Sequence, residues 1–259
     1  MDHASWGAGE RTLLFIGGGP GSSVPTGPWL RTSQRWFEPF TAAGYTVWYV
    51  TRRRRMPPGH TLADMADDYG QVVADELGGR ADLVMGVSFG GMVAQLLAAR
   101  HGDRIGHVAL VAAAAEVSAW GKEVDLRLAD AVRRGDTAAT GAAFGEYLLP
   151  GERSRWVRRV AGPLVGRGLL SGKHYPPSDL VVELEAELAF DARPALPGIR
   201  VPVVLLCGDR DRFFPPAVVA ETAALIPGCA VVGYEGRGHM WMASTKQVPP
   251  AVLAFVDRT

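Results

Sequence analysis

The chain has 259 residues, of which 47% are hydrophobic, which suits a single domain with a sizeable core. Lys plus Arg balance Asp plus Glu, 27 against 27, so no net charge draws the protein to nucleic acid or to an anionic membrane. We expect a small-molecule substrate, no nucleic-acid or membrane partner, and a monomer or homodimer.

Short runs rich in Val, Leu and Ile recur along the chain and predict parallel strands. Their apolar residues occupy successive rather than alternate positions, as in strands buried on both faces of a sheet. The predicted strands are 12–16, 45–50, 83–87, 108–112, 201–207 and 230–234.

Helical patterns separate most of these strands. Segment 61–77 has apolar residues at helical spacing and Asp64 near its start, where a carboxylate suits the helix dipole. Segment 89–100 carries a second apolar stripe. Strands that alternate with helices predict an α/β fold with a doubly wound, mostly parallel sheet.

The alternation is interrupted once, between the fourth and fifth predicted strands. Residues 116–191 contain no strand pattern, only helix-like segments such as 122–134 and 179–189. We interpret this block as an inserted helical cap. The predicted domains are therefore a core of residues 1–115 and 192–259 and a cap of residues 116–191.

A serine lies between glycines where the strand at 83–87 gives way to a helix. Ser88 follows Gly86 and precedes Gly90 and Gly91 in the pattern G-x-S-x-G. A strand that turns into a helix within one residue needs a strained backbone and little side-chain bulk around it. The pattern is weak by itself, but its strand–helix context predicts a nucleophile elbow.

A serine nucleophile needs a base and a carboxylate that orients the base. The strand at 201–207 leads into Asp209 and Asp211, and the strand at 230–234 leads into His239. The chain order serine, acid, histidine is the order that this type of elbow uses. We interpret the other five histidines as surface or core residues.

An oxyanion formed at the serine needs hydrogen-bond donors fixed in advance. One candidate donor is the backbone N–H of Phe89, directly after Ser88. The glycine-rich loop after the first strand, residues 16–23, is the candidate source of a second. This loop lacks the Lys and Ser/Thr of a phosphate-binding loop, which argues against nucleotide binding.

With these motifs in this order, the chain resembles the α/β-hydrolase superfamily, as a serine hydrolase with a helical cap. The resemblance extends from residue 12 to about residue 256 and rests on GGGPGS, GVSFGG, GDRDRFFP and GRGHM. It implies a catalytic triad of Ser88, Asp211 and His239. Asp211 is preferred over Asp209 because it occupies the G-x-x-D position.

The sequence departs from the family pattern in three places. Gly17 replaces the histidine of the usual His-Gly-Gly-Pro-Gly turn, which leaves Gly19, and next Gly18, as the second oxyanion donor. The N-terminus is too short for the full opening hairpin, so we expect about six core strands and a vestigial edge strand. Arginines 52–55 replace a Pro-Asp-x-Arg-Gly segment and are typical of a solvated loop; substrate contact there would imply an anionic substrate.

The substrate pocket is predicted to be mainly apolar. Candidate lining residues are Met240 and Trp241 beside the histidine, together with four aromatic residues of the cap: Trp120, Phe144, Tyr147 and Trp156. Such a pocket favours an ester or lactone of modest size. We expect no metal and no organic cofactor.

Several activities of the same fold remain open. The triad also suits C–C bond hydrolysis of a diketone, perhydrolysis, thioester hydrolysis or a biosynthetic cyclisation, because specificity depends on the cap. No sequence feature marks a surface for docking a carrier protein. An epoxide or haloalkane hydrolase would need a carboxylate in place of Ser88. A binding module without turnover is disfavoured because all three triad positions are present.

The N-terminus and the number of cysteines indicate the cellular compartment. The chain begins without a basic segment followed by an apolar run, and no apolar stretch reaches the roughly 18 to 20 residues of a membrane span. Its two cysteines, Cys207 and Cys229, are too few for a disulfide framework. We expect a cytoplasmic protein.

Overall fold

A computed structural model describes residues 1–259 and contains one seven-stranded sheet. The strands are β1 (His3–Trp6), β2 (Arg11–Ile16), β3 (Tyr45–Val50), β4 (Ala81–Val87), β5 (Ile105–Val111), β6 (Val203–Gly208) and β7 (Ala230–Tyr234). Their order across the sheet is β1-β3-β2-β4-β5-β6-β7. Only β1 is antiparallel to its neighbour, β3. The predicted parallel sheet with a short edge strand is confirmed.

Ten α-helices accompany the sheet. They are α1 (Gly27–Ala42), α2 (Leu62–Asp75), α3 (Phe89–His101), α4 (Ala119–Arg133), α5 (Thr137–Leu148), α6 (Arg155–Leu170), α7 (Pro177–Leu188), α8 (Pro216–Leu225), α9 (His239–Ser244) and α10 (Val248–Val256). The sequence patterns did not predict α1. No helix combines the length and the hydrophobicity that a membrane-spanning segment requires.

The core has two layers, one on each face of the sheet. In β2, Leu13 and Phe15 pack with residues of α1 and α10, whereas Leu14 and Ile16 pack with residues of α2 and α3. Alternate residues of a strand point to opposite faces. Successive apolar residues in the sequence therefore reflect a sheet that is covered on both sides.

Helices α4–α7 follow one another between β5 and β6, in the segment predicted to be the cap, and we call them the cap helices. Helices α5 and α6 pack closely because glycines line their contact. A Cβ atom at Gly141 would lie 1.9 Å from the carbonyl oxygen of Gly162, and one at Gly166 would lie 1.8 Å from that of Thr137. Larger side chains at these positions would push the two helices apart.

Candidate active site

Ser88 occupies a strained turn between β4 and α3. Its φ of 53° lies in the left-handed region that non-glycine residues rarely adopt. The turn is possible because the flanking glycines allow close backbone contact: a Cβ at Gly86 would lie 2.3 Å from the Gly90 oxygen, and one at Gly90 would lie 2.1 Å from the Ile16 oxygen. The backbone thus holds the Ser88 hydroxyl at the carboxyl edge of the sheet.

The structure brings Ser88, His239 and Asp211 into one chain of hydrogen bonds. His239 Nε2 lies 2.9 Å from Ser88 Oγ, and His239 Nδ1 lies 2.7 Å from Asp211 Oδ2. His239 begins α9 just after β7, and Asp211 follows β6. The three residues come from loops at the same edge of the sheet, because parallel strands end on the same side.

Asp211 is held rigidly, whereas Asp209 points elsewhere. Asp211 is buried, and its Oδ1 accepts hydrogen bonds from the backbone N–H groups of Phe213 at 2.9 Å and Phe214 at 3.2 Å. This leaves Oδ2 free to face the imidazole. Asp209 instead accepts from the N–H of Arg237 at 3.2 Å. Its carboxylate braces the loop that carries His239.

The other histidines lie away from this chain of hydrogen bonds. His60 contacts Asp68, His101 contacts Asp67, His3 lies near Glu76, and the His107 ring lies against Asp82. His174 is exposed. No group of three or more His, Cys, Asp or Glu side chains is arranged to hold a metal ion.

The predicted oxyanion loop lies against the elbow. A Cβ at Gly18 would lie 3.6 Å from Ser88 Cβ, and a Cβ at Gly19 would lie 3.0 Å from Phe89 Cβ. Phe89 is the first residue of α3, so its N–H lies outside the hydrogen-bond ladder of the helix. The N–H groups of Gly18 and Gly19 have no acceptor within the protein.

Arg52 fixes the direction of these N–H groups. It is 1% exposed, and its guanidinium donates to the carbonyl oxygens of Gly17 at 2.9 Å, Gly18 at 3.2 Å and Gly21 at 2.9 Å. In a trans peptide unit the C=O and the N–H point in opposite directions. Because the Gly17 and Gly18 carbonyls point at Arg52, the N–H groups of Gly18 and Gly19 point away from it.

The solvated-loop prediction for arginines 52–55 is therefore wrong for Arg52. Arg53 and Arg55 are exposed, as that prediction requires, but Arg52 turns inward and its guanidinium lies 4.5 Å from the centre of the Phe89 ring. Glu183 of α7 supplies the opposite charge. Arg52 thus supports the glycine-rich loop through the carbonyl oxygens of Gly17, Gly18 and Gly21.

A pocket of about 160 Å³ adjoins His239. Four of the predicted lining residues border it, namely Trp120, Tyr147, Met240 and Trp241, together with Phe213. The Tyr147 ring stacks on Phe213 at 4.9 Å, and Phe213 lies 5.0 Å from the His239 ring. Of the other two candidates, Phe144 packs behind Tyr147, and Trp156 lies on the outer face of α6.

A pair of buried acids lies behind this pocket. Asp125 accepts a hydrogen bond from the Tyr147 hydroxyl through Oδ1, while its Oδ2 has no partner. Burial raises the pKa of Asp125 to about 7, and the bond from Tyr147 lowers it only in part. Burial and the nearby Asp125 also raise the pKa of Glu187 well above its usual range. Neither acid is among the site residues predicted from the sequence.

One signal in the sequence could have identified Arg52. It lies two residues past the end of β3, and β3 neighbours β2, whose carboxyl end carries the glycine-rich loop. A charge at the carboxyl edge of a parallel sheet is well placed to contact that loop. No comparable local signal marks Asp125 or Glu183.

Comparison with known proteins agrees with this architecture. Residues 13–252 match the model of the alpha/beta hydrolase family. Over 191 residues the chain is 29% identical to a pimeloyl-[acyl-carrier protein] methyl ester esterase of Neisseria meningitidis, covering 70% of this chain and 73% of that protein. A shorter segment of 77 residues is 36% identical to polyketide synthase ThaQ of Burkholderia thailandensis, covering 29% of this chain but only 4% of that protein.

Solved structures share the fold at low identity. The crystal structure of an enol-lactonase from Burkholderia xenovorans superposes with a TM-score of 0.73 at 24% identity, covering 99% of this chain and 96% of that one. At this identity the likeness concerns the fold. Since the family model matches almost the whole chain, the protein belongs to the alpha/beta hydrolase family.

Proposed function

We propose that the protein hydrolyses a carboxylic ester of a mainly apolar acyl group through an acyl-enzyme on Ser88. The observation that carries this proposal is the continuous chain of hydrogen bonds from Ser88 through His239 to the buried Asp211. That arrangement lets a neutral imidazole accept the serine proton while a carboxylate stabilises the imidazolium.

In the first half of the reaction, Ser88 Oγ attacks the ester carbonyl as its proton passes to His239 Nε2. The carbonyl oxygen becomes an oxyanion, which accepts hydrogen bonds from the N–H groups of Phe89 and Gly19. When the tetrahedral intermediate collapses, the alcohol leaves with the proton held by His239. Each oxyanion donor contributes roughly 2.7 to 4 kcal/mol to the lowering of the barrier.

In the second half, water replaces the alcohol. His239 Nε2 takes a proton from the water, the hydroxide attacks the acyl carbonyl, and the carboxylic acid leaves as Ser88 regains its proton. Asp211 keeps the proton of His239 on Nδ1 throughout, so that Nε2 faces the reacting atoms as a base. Arg52 holds the glycine-rich loop so that the oxyanion donors are in place in both halves.

Two observations support an ester as the substrate, with an apolar acyl group. The pocket beside His239 is bordered by the side chains of Trp120, Tyr147, Phe213, Met240 and Trp241, which offer apolar surface. The relative from Neisseria meningitidis is by name a methyl ester esterase. The volume of about 160 Å³ fits a short chain better than a long one.

A panel of p-nitrophenyl esters tests the proposal. We expect turnover of the acetate, butyrate and hexanoate, a decline for longer acyl chains, and loss of turnover in Ser88→Ala. Ser33→Ala, a change to a serine of α1 outside the candidate site, is the control and keeps its activity. If no ester in the panel is hydrolysed, or if Ser88→Ala retains activity, the proposal fails.

A second candidate is an acyl group carried by a protein. The relative from Neisseria meningitidis acts by name on a pimeloyl chain bound to an acyl-carrier protein, and the segment from Burkholderia thailandensis belongs to a polyketide synthase. The proposed test compares pimeloyl methyl ester on an acyl-carrier protein with the same acyl chain on N-acetylcysteamine. Mass spectrometry of the products identifies whether the methyl ester or the thioester is cleaved.

C–C bond hydrolysis and cyclisation remain alternatives for the same site. They require the same nucleophile, so the variants of the triad do not separate them from ester hydrolysis. Covalent labelling of Ser88 by a fluorophosphonate without turnover of any ester would favour these alternatives. A panel of diketones and lactones would then identify the reaction.

A further inference from the structure

The outer face of α6 is uncovered and apolar. Its inner face packs on α5 through the glycine contacts described above, while Trp156, Val160 and Leu164 on the outer face are 69%, 75% and 76% exposed. These three residues are four apart and form a stripe along one side of the helix. Monomeric proteins rarely leave contiguous apolar surface of this kind uncovered without a partner for it.

Arginines surround this stripe. Arg153, Arg159 and Arg167 are exposed and form no ion pair, and Arg155 lies 3.6 Å from its one carboxylate neighbour, Glu152. On α4 and directly after it, by contrast, arginines form ion pairs with carboxylates: Arg127 pairs with Glu146, and Arg134 pairs with Asp130. In a chain of zero formal net charge, the face of α6 is therefore a local excess of positive charge.

A cleft adjoins this face of α6. It has a volume of about 1070 Å³, lies between α4, α5 and α6, and is lined on the α6 side by Arg155, Trp156 and Arg159. Trp120 of α4 lines the same cleft and also borders the pocket beside His239. The charged side chains of Glu123, Arg127 and Glu146 line it, so the cleft suits a polar arm rather than a lipid tail.

We propose that the outer face of α6 docks an acidic acyl-carrier protein, whose phosphopantetheine arm lies in this cleft and presents an ester on its acyl chain to Ser88. Ser88 Oγ bonds to the carbonyl carbon of that ester as its alcohol leaves, water then releases the acid, and the thioester to the carrier stays intact. The inference rests on the proposed function, because it concerns the same nucleophile. An acidic helix of the carrier would pair with the arginines of α6, and its apolar side would pack on the apolar stripe. Arg155 and Arg159, which line the cleft, would bind the phosphodiester of the arm.

The test compares carrier-bound and free substrate in matched variants. The first variant is Arg153→Gln/Arg159→Gln/Arg167→Gln, and the second is Trp156→Ser/Leu164→Ser. The control is Arg31→Gln/Arg35→Gln/Arg258→Gln, which removes three exposed, unpaired arginines outside the cap helices. Substrates are pimeloyl methyl ester on acyl-carrier protein, the same chain on N-acetylcysteamine, and p-nitrophenyl butyrate.

Wild type is expected to have a higher kcat/KM for the carrier-bound substrate than for the free one. In the arginine variant, kcat/KM for the carrier-bound substrate is expected to fall at least about tenfold, because KM rises. Trp156→Ser/Leu164→Ser is expected to lose the preference for the carrier-bound substrate as well. All of these variants should hydrolyse p-nitrophenyl butyrate like wild type. Because charge attraction is screened by salt, the preference falls as ionic strength rises. Equal kcat/KM for carrier-bound and free substrate, or equal loss in the control, overturns the proposal.

A binding measurement separates this proposal from the proposed function. Fluorescence anisotropy of labelled, unacylated phosphopantetheinyl carrier with the Ser88→Ala protein needs no turnover, and its affinity is expected to fall in the arginine variant. If no ester is hydrolysed but this binding is seen, the docking surface stands without the esterase. Binding of phosphatidylglycerol vesicles or dimerisation through α6, in place of carrier binding, overturns the proposal.

Discussion

Arg52 and Glu183 form a buried ion pair that joins the glycine-rich loop to the cap. Arg52 Nε lies 2.6 Å from Glu183 Oε1, and Arg52 Nη2 lies 3.2 Å from Oε2. Burial alone would lower the pKa of Arg52, but the charge and hydrogen bonds of Glu183 raise it above its usual range. Glu183 also accepts from the N–H of Gly21 at 2.5 Å. Two residues thus connect α7 to the candidate oxyanion donors.

Arg52→Lys is expected to lower turnover more than substrate binding. A lysine keeps the positive charge, but its single ammonium cannot donate to three carbonyls and both carboxylate oxygens as the planar guanidinium does. The loop would shift, and a displacement of about 1 Å at a reacting centre costs on the order of a hundredfold in rate. Steady-state kinetics with p-nitrophenyl butyrate should therefore show a lower kcat and a nearly unchanged KM.

Arg53→Lys is the matched control for that experiment. Arg53 is the next residue in the same loop, but it is exposed and pairs with Asp68 on the surface. Its replacement is expected to leave kcat within about twofold of wild type, because exposed ion pairs contribute little. Equal kcat values for the two variants would show that Arg52 has no positioning role.

Asp211→Asn is expected to lower ester turnover by about four orders of magnitude in a folded protein. Its Oδ1 is committed to the N–H groups of Phe213 and Phe214, so the new amide NH₂ would take the place of Oδ2 and donate to His239. That forces the proton of the imidazole onto Nε2, which can then no longer act as the base. The measurement is kcat/KM with circular dichroism as the folding check.

Asp209→Asn is the comparison that makes this prediction specific. The Asp209 side chain accepts a hydrogen bond from the backbone of the loop that carries His239, and an amide oxygen can still accept that bond. We therefore expect a loss of no more than about tenfold. A larger loss in Asp209→Asn than in Asp211→Asn would mean that the acid of the triad is wrongly assigned.

Replacing Gly19 tests the second oxyanion donor. Gly19→Pro removes the N–H, whereas Gly19→Ala keeps it, and both place a carbon close to Phe89 and Arg52. The difference between the two variants therefore isolates the donor from the crowding. We expect kcat of the proline variant to be lower than that of the alanine variant by roughly two to three orders of magnitude. Similar kcat values in two folded variants would remove Gly19 from the oxyanion hole.

The buried acids predict a pH dependence of stability. The pKa of Asp125 is raised to about 7 in the folded protein, so between its ordinary range and pH 7 the folded state binds more protons than the unfolded state. The contribution of Asp125 to stability is therefore full at acid pH and is lost as the pH rises toward 7. Asp125→Asn cannot ionise and should unfold at a higher temperature than wild type at pH 8.

Thermal unfolding between pH 4 and pH 8 measures this effect. The gain of Asp125→Asn over wild type should shrink toward acid pH, where Asp125 is protonated. Glu10→Gln, which changes an exposed and unpaired carboxylate, is the control and should follow wild type at every pH. A gain in Asp125→Asn that is the same at pH 4 and pH 8 would contradict the raised pKa.

The parts of the fold that the sequence predicted are those with a local signature. Strands buried on both faces require successive apolar residues, and the turn at Ser88 requires glycines on both sides, so both features could be recognised in short segments. Helix α1 could not, because only Phe37 and Phe40 of its 16 residues are buried and Pro39 lies between them. The domain boundaries at residues 116 and 191 remain a prediction.

The residues of the candidate site could be predicted where they follow predicted strands along the chain. They could not be predicted where a side chain depends on a partner that is distant in the sequence. Asp211 and His239 follow consecutive strands and could be placed at one edge of the sheet. Arg52 was misjudged because its burial depends on Glu183, 131 residues further along the chain. A run of arginines indicates a solvated loop by composition alone, whereas a buried counter-charge becomes visible only once the fold brings it near.

The most direct test of Ser88 as the nucleophile is to trap the acyl-enzyme. Wild type, Ser88→Ala and His239→Ala are mixed with p-nitrophenyl butyrate, quenched in acid within milliseconds, and measured by intact-protein and peptide mass spectrometry. We expect a butyryl group on the peptide that contains Ser88 in wild type, none in Ser88→Ala, and greatly slowed acylation in His239→Ala. An acyl group on another residue, or undiminished p-nitrophenol release by Ser88→Ala, would contradict this role of Ser88.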